Sequence, residues 1–406
     1  MMAWRKCYFA PVDVIGASDA RSLETGGYKH GAFLYPGACA GALRTLCLES
    51  SPYLFGREIC EQPNEEARNA AQAVGVPGAG GNMTFRFSGP FLHDMDRRRT
   101  LLFPLPRFCF WDPNDPVRRT IPAWPAPSSD AVFDRRFDGL QPVPPATAEL
   151  EPDPRHVNMG ELCALLGGNI SPRTVDGASR FKTERRSGHA RADGGAPLEG
   201  MLFSRPVLQF DEQCLADGRA AAGLAGFVSG IDGLSDPIDN GNNLVRLGSG
   251  GHCAKVTFED ASAETAQAEA LKQAVKHRIA TDPSAGLMLY LATPALFSEG
   301  WKPPFGEREG VTLRAAAVSD PMTLSGWDMA KDNGKGKGKG GPKPIRRAAT
   351  PGSTYFYSVD DPEKAAAFID TRHFNESVSA YDKETGCGLA LFGLWPGTTA
   401  LGGSAR

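Results

Sequence analysis

Apolar residues recur every second position in several short runs of this chain. In NMTFRFS, from Asn82 to Ser88, Met83, Phe85 and Phe87 share one side, which predicts a strand with one buried face. Strand character also marks Trp4 to Ile15, Leu224 to Ile231, Cys253 to Glu259, Gly286 to Leu291, Val311 to Val318, Thr354 to Val359 and Leu389 to Trp395. Thr174 to Glu184 and Gly200 to Phe210 read as two strands flanking a Gly/Arg/His loop, a long hairpin with a polar tip. Leu101 to Trp111 is aromatic but broken by Pro104 and Pro106, so it is at most an edge strand. Helical spacing appears at Ala38 to Leu48, with Arg44 on the polar side, and at Met159 to Leu166. The strongest helix is Ala261 to Ile279, where Glu264, Glu269, Lys272 and Lys276 sit among alanines and Asp282–Pro283 ends the run. Pro362 to Ile369 is a further helix, with proline in its first turn.

Between these elements lie long polar stretches. Asp112 to Pro154 is rich in Pro, Asp and Arg and reads as an irregular excursion over the surface. Two β-α-β groups around a long middle section predict an α+β fold of tandem ferredoxin-like (RRM-like) domains, with long inserted loops and a projecting β-hairpin. The expected boundaries are 1–165 for the first domain, with its Pro-rich insertion at 112–154. The hairpin and connection take 166–212. The second domain takes 213–406, with a Gly/Lys loop at 331–342. No internal sequence repeat accompanies the tandem.

Composition narrows the classes. The chain has 406 residues, enough for two or three domains, and 41% hydrophobic residues, enough for a sizeable core. Its formal net charge of −3 argues against a free-standing, non-specific nucleic-acid binder, so any such role must come from local patches or from a larger assembly. Nine scattered cysteines include no CxxC pair, which predicts reduced thiols, no zinc site and a cytoplasmic setting. The first residues, MMAWRKCYFAPVDVIG, carry no targeting pattern, and the most apolar window, Leu287 to Phe297, is too short to span a bilayer. No membrane contact is expected.

Three features could carry chemistry. From Lys331 to Arg347 there are seven basic residues against the single acid Asp332. The GKGKGKGG portion reads as a solvated loop; PKPIRR, containing Lys343, Arg346 and Arg347, is stiffened by proline and leads into an aromatic strand. A second cluster holds Arg180, Lys182, Arg185, Arg186 and Arg191 against Glu184 and Asp193, with His189 at the expected tip. Arginines on a projecting hairpin can clamp phosphates, although a charged surface hairpin needs no such role. The third feature is a set of glycine turns at Gly26–Gly31, Gly248–Gly251 and Gly386–Gly388, whose amides could bind phosphate oxygens. None is a nucleotide-binding phosphate loop. No GxSxG, HExxH or HxE–CxxC pattern is present, and the seven histidines are isolated. Asp360/Asp361 and Asp94/Asp96 read as turn and cap residues.

Four blocks, in order, resemble one family: the third subunit of the type III-B (Cmr) CRISPR effector complex, a Cas5-like member of the RAMP superfamily. They are GAFLYPGACAGALRTLCLE (Gly31 to Glu49); FKTERRSG with LEGMLF; LVRLGSGGHCAKV with TPALFSEGWKPP; and AAAVSDPMTLSGWD with PKPIRRAATPGSTYFY and GCGLALFGLW. The segment PVDVIGASDARSLETGG and the Pro-rich stretch depart from the family's pattern. The resemblance implies a non-catalytic RNA-binding subunit that caps the 5′ tag of the guide RNA. Its partners would be that RNA, the large polymerase-like subunit and the adjacent RAMP backbone subunit. No cofactor and no metal are implied. The expected RNA-binding residues are Lys29 and His30 in the first glycine turn and Arg44 on the helix after it. Arg180, Lys182, Arg185 and Arg186 would form a thumb. Arg246, Gly250, Gly251 and His252 surround the second turn, and Lys343, Arg346, Arg347, Gly386 and Gly388 complete the set. Trp301 and Trp327 could stack on bases, with core packing as the other fate. Two alternatives stay open: a guide-processing endoribonuclease with His30 or His189 as base, and a scaffold that touches only protein.

Overall fold

A computed structural model of the chain describes residues 4–16, 35–49, 85–94, 100–125, 143, 147, 149–168, 172–174, 182–191, 197–209, 222–230, 243–248, 252–328 and 341–396. The fold mixes α and β, with several largely antiparallel sheets and four α-helices among the described residues. Elements are numbered in chain order.

The largest sheet has eight strands. Its path runs β12 (Leu244–Arg246), β13 (Cys253–Asp260), β1 (Arg5–Pro11), β11 (Ala222–Ser229), β3 (Arg86–Asp94), β4 (Leu101–Pro104) and β8 (His156–Val157). The eighth strand, β21 (Thr385–Gly386), comes from far down the chain and pairs in parallel with β3. Within it, β13–β1–β11–β3 is an antiparallel set in the order fourth, first, third, second. A second sheet, β15 (Val311–Ala317), β20 (Thr354–Val359), β14 (Gly286–Leu291) and β22 (Ala390–Trp395), has the same relative order, read from its other edge.

The helices cover these sheets where their sequences are apolar. Helix α1 (Pro36–Glu49) buries Cys39, Ala40, Leu43, Leu46 and Cys47, a one-sided stripe at helical spacing, against Cys7, Phe9, Phe85, Phe87 and Val256. On the other face, α2 (Met159–Leu166), α3 (Ser262–Thr281) and α4 (Pro362–Arg372) share one core with both sheets. Asn158 caps α2 by accepting from the Glu161 N–H, and Asp361 caps α4 by accepting from Glu363 and Lys364. Trp4 Nε1 donates to the Phe374 carbonyl at 3.2 Å, and the Phe227 and Phe374 rings meet edge-on at 5.0 Å. The core is therefore continuous between the sheets.

Several expectations change. The first sheet takes β11 and β13 from beyond residue 213, so the boundary expected there runs through a sheet. In the second sheet no helix links β14 to β15; that connection holds only the 3-10 turn Glu307–Glu309, and α3, which precedes β14, packs beside α4 instead. Leu101 to Trp111 is two strands, split at its prolines and deeply buried at Leu102, Phe103 and Phe108. The Pro-rich excursion is partly structured. β5 (Cys109–Trp111) pairs with β6 (Thr120–Pro122) and β7 (Glu151–Pro152). Buried Asp153 organises it, accepting from Arg155 Nε at 2.8 Å, Arg155 Nη2 at 2.6 Å and Thr120 Oγ1 at 3.0 Å. Pairing across so many residues leaves no local periodicity to read.

His373 gives the core a pH dependence. It is 1% exposed, and its Nδ1 accepts the Phe392 N–H at 3.0 Å, so the ring is neutral. Burial pushes its pKa down to about 4. The unfolded chain takes up this proton near pH 6.5, while the folded chain resists it until about pH 4. Stability should therefore fall as pH drops through that window, by about 3 kcal/mol from this residue. Denaturant titrations between pH 7 and pH 4 should show a shallower loss for His373→Gln than for the natural chain.

Candidate nucleic-acid interface

The described residues of both basic clusters lie along β-ribbons, and strand alternation sorts their arginines. In the first ribbon, β16 (Met322–Leu324) pairs with β19 (Arg346–Ala348), and β17 (Trp327–Asp328) pairs with β18 (Gly341–Pro342). The Gly/Lys stretch thus joins two arms of one hairpin; residues 329–340 lie outside the described ones. Leu324 pairs with Arg346, Thr323 with Arg347, and Met322 with Ala348. Paired residues share a face. The inner face packs Leu324, Ala348 and Met322 against Leu296, Cys387 and Tyr35. Arg346 follows that face, its guanidinium 3.7 Å from the centre of the Tyr381 ring. Arg347 points the other way and is exposed. Lys343 is held by Asp382, Nζ to Oδ1 at 2.7 Å.

The second ribbon repeats this division. β9 (Lys182–Arg191) and β10 (Pro197–Gln209) form a hairpin that adds β2 (Val14–Gly16) at its base. Arg185, Ser187 and His189 are exposed, while Glu184 and Arg186 lie on the opposite face. Arg186 grips Asp13 with both terminal nitrogens, Nη1 to Oδ2 at 3.1 Å and Nη2 to Oδ1 at 3.3 Å. Asp13 occupies the bend between β1 and β2, and the Arg186 hydrogen bond holds its carboxyl below the usual range. A bridge from Gly16 to Gly248 joins β2 to the segment just after β12. The polar tip is shorter than expected, since Arg185 to His189 lie inside β9. Register comes from buried Val207 and Leu208 in β10, while β9 is polar enough to read as a loop.

The remaining expected residues divide three ways. Lys29, His30, Arg180, Gly250 and Gly251 lie outside the described residues. Lys182 begins β9, opposite Gln209; Arg246 is exposed on edge strand β12, and His252 is half-buried beside it. Arg44, Gly386 and Gly388 turn inward. Arg44 lies over the Phe85 ring at 5.0 Å, and burial lowers its pKa while Glu384 and Asp382 oppose the shift. Gly386 and Gly388 are buried, and the Gly388 N–H donates to the Pro294 carbonyl at 2.7 Å, so that amide is spent within the fold. Trp301 packs against the core and its carbonyl accepts from the Tyr355 hydroxyl at 2.7 Å; Trp327 lies in β17 opposite Pro342.

Sequence reasoning missed Tyr381, 40% exposed under Arg346, and Asp382, whose φ of +52° is left-handed for a non-glycine residue. The nearby run YDKETGCG carried a signal in its turn-forming residues. Asp13 was missed because its partner is 173 positions away.

A mixed α/β chain that stitches distant blocks into one seam and raises two basic ribbons is the class defined so far. The family model for CRISPR-associated protein (Cas_Cmr3) matches residues 19–395, and the chain belongs to that family. No curated protein is matched. The chain is similar at 13% identity to one in the cryo-EM structure of the type III-B Cmr-beta bound to cognate target RNA and AMPPnP, with 90% of this chain and 87% of that one covered and a TM-score of 0.42. A structure of the same assembly bound to cognate target RNA gives 13% identity, 86% coverage of each chain and a TM-score of 0.41.

The sorting of arginines has measurable consequences. Arg346→Ala should lower stability by about 0.5–1 kcal/mol through the lost Tyr381 contact, whereas Arg347→Ala should change it by less than about 0.5 kcal/mol. Gly386→Ala should cost about 2–4 kcal/mol. At φ +110° an added Cβ would lie 2.8 Å from Pro36 Cβ and 3.0 Å from the Gly89 carbonyl oxygen. Chemical denaturation of the three variants would check this ranking.

Proposed function

We propose that this chain is a non-catalytic, RNA-binding subunit of a type III-B CRISPR effector complex. It caps the 5′ tag of the guide RNA, docks onto the large polymerase-like subunit and abuts the adjacent RAMP backbone subunit. Family membership across residues 19–395 carries the reading. The two ribbons support it: each is ordered, and each directs an arginine, Arg185 or Arg347, to the surface. Phosphates are held by such arginines and single-stranded bases by exposed aromatics, a role open to Tyr381. The shared strand order supports reading both four-strand sets as ferredoxin-like cores, each short of one crossover helix among the described residues. No described helix is long and apolar enough to cross a membrane, and we assign the complex to the cytoplasm.

Co-expression with the neighbouring subunits and a CRISPR array, followed by sequencing of the retained RNA, tests the proposal. Guides with one defined 5′ tag should be recovered from the natural complex. Recovery should fall roughly tenfold in an Arg185→Glu/Arg347→Glu variant, on the scale of one or two lost charge-assisted contacts, with assembly intact. Unchanged recovery would favour the protein-only scaffold. Metal-free cleavage of repeat RNA by the chain, lost in His189→Ala, would favour the endoribonuclease.

A further inference from the structure

Arg107 lies in the short connection between β4 and β5, at the foot of the Pro-rich region. Its backbone N–H donates to the Gly352 carbonyl at 2.8 Å. Its side chain runs along the bare face of Gly352, where an added Cβ would lie 3.4 Å from Nε and 3.7 Å from Cγ. Gly352, held at φ +86°, is required by the Leu105 carbonyl oxygen, which an added Cβ would meet at 2.8 Å, and the arginine lies in ordinary contact beside it. Nε is buried and has no hydrogen-bond partner.

Three other enclosed or anchored arginines have acids to face. Arg155 has Asp153, Arg186 has Asp13, and Arg44 feels Glu384 and Asp382. Among the described residues, no carboxylate pairs with Arg107. Burial lowers its pKa, and the one opposing neighbour is the Tyr290 phenol. That phenol is a poor counter-charge: burial drives its own pKa far up, and its hydroxyl already donates to the Pro104 carbonyl at 2.7 Å. A guanidinium keeps its charge at any physiological pH, and partial desolvation without a counter-ion is costly. Among the described residues, this cation is uncompensated.

Hydroxyls share the same turn. Thr350 Oγ1 lies 2.8 Å from Ser319 Oγ and 3.4 Å from Ser353 Oγ. The turn follows directly from β19, whose Arg347 is exposed. A guanidinium set against a turn that carries hydroxyls suits a tetrahedral phosphate, which offers more acceptors than a carboxylate. Building on the RNA-binding reading, we propose that Arg107 and the Thr350–Ser353 turn form a phosphate subsite for the RNA backbone, continuing the track of Arg347 across the second sheet.

The test is guide-RNA affinity of the assembled effector complex, measured with 5′-labelled guide over a range of salt concentrations. Arg107→Gln should weaken binding about five- to tenfold and flatten the log–log salt dependence by about 0.7, the share of one phosphate on a single strand. Arg107→Lys should restore the salt slope and part of the affinity, because it returns charge without the fork. The melting temperature of Arg107→Gln should not fall, since an unpaired cation is removed. Natural complex that binds guide while both variants match it in affinity and slope would overturn the subsite alone. Loss of a protein subunit from the variant complex, with RNA affinity intact, would also overturn it and assign Arg107 to a partner's carboxylate. Natural complex that retains no guide would overturn the RNA-binding reading itself.

Discussion

The joint between β21 and β3 is the constraint on which the seam of this molecule depends. A two-residue strand from the end of the chain pairs in parallel with Phe87 and Ser88 of the first sheet. Gly386 has to pass between Pro36, Phe87 and the Gly89 carbonyl, and only a residue without a side chain clears all three. Once it does, the start of α1 is pinned against the C-terminal half. Cys387 then joins Leu296, Leu324 and Ala348 under Tyr35, which seats the β16–β19 ribbon. Asp382 sits at the entrance of the same loop and holds Lys343. Residues from three distant sequence blocks become neighbours through one close approach.

That anchoring changes what an arginine pair means. Adjacent arginines look like a doubled charge in a sequence, yet neighbours on a strand face opposite ways. Arg346 and Arg186 are turned back, one onto an aromatic ring and one onto a carboxylate, and both fix the direction of their ribbon. Arg347 and Arg185 are presented outward by the same backbone. In each ribbon one arginine is therefore structural support for the arginine beside it. A chain with a net charge of −3 can present such local patches because its acids are placed against the supporting cations.

Local physics made much of the fold legible. Met159–Leu166, Gly286–Leu291 and Thr354–Val359 fall where periodicity put them, because each buries an unbroken apolar face bounded by caps or turns. One ribbon was legible as a hairpin and the other as a basic segment, but the register that sorts their arginines was not. Register in β9 is set by residues of β10, and in β19 by Met322 and Leu324 of β16. The Asp153–Arg155–Thr120 centre was hidden for a similar reason: Thr120 is 33 positions from Asp153 across a proline-rich stretch with no alternation. Glycines misled in the opposite direction. Gly386 and Gly388 read as exposed amide donors, but tight bends and close packing select the same residue, and here they are the reason it is present.

Charge pairing separates positions that complete the fold from positions that leave it unfinished. Lys6 meets Glu264 at 3.0 Å, Arg155 meets Asp153 at 2.6 Å and Lys343 meets Asp382 at 2.7 Å, so at each of these the folded chain satisfies its own cation. Such pairs need no outside partner and would lose one of their ions to gain one. Arg107 and Arg347 differ in burial but not in logic: neither is paired with an acid among the described residues. For Arg347, water meets the need at little cost. For Arg107, with Nε enclosed against Gly352, water does so only in part, and the unmet part is free energy that an arriving anion can recover. A surface that binds a few phosphates tightly needs few free cations, provided that some are already stripped of solvent and fixed in direction before the ligand arrives.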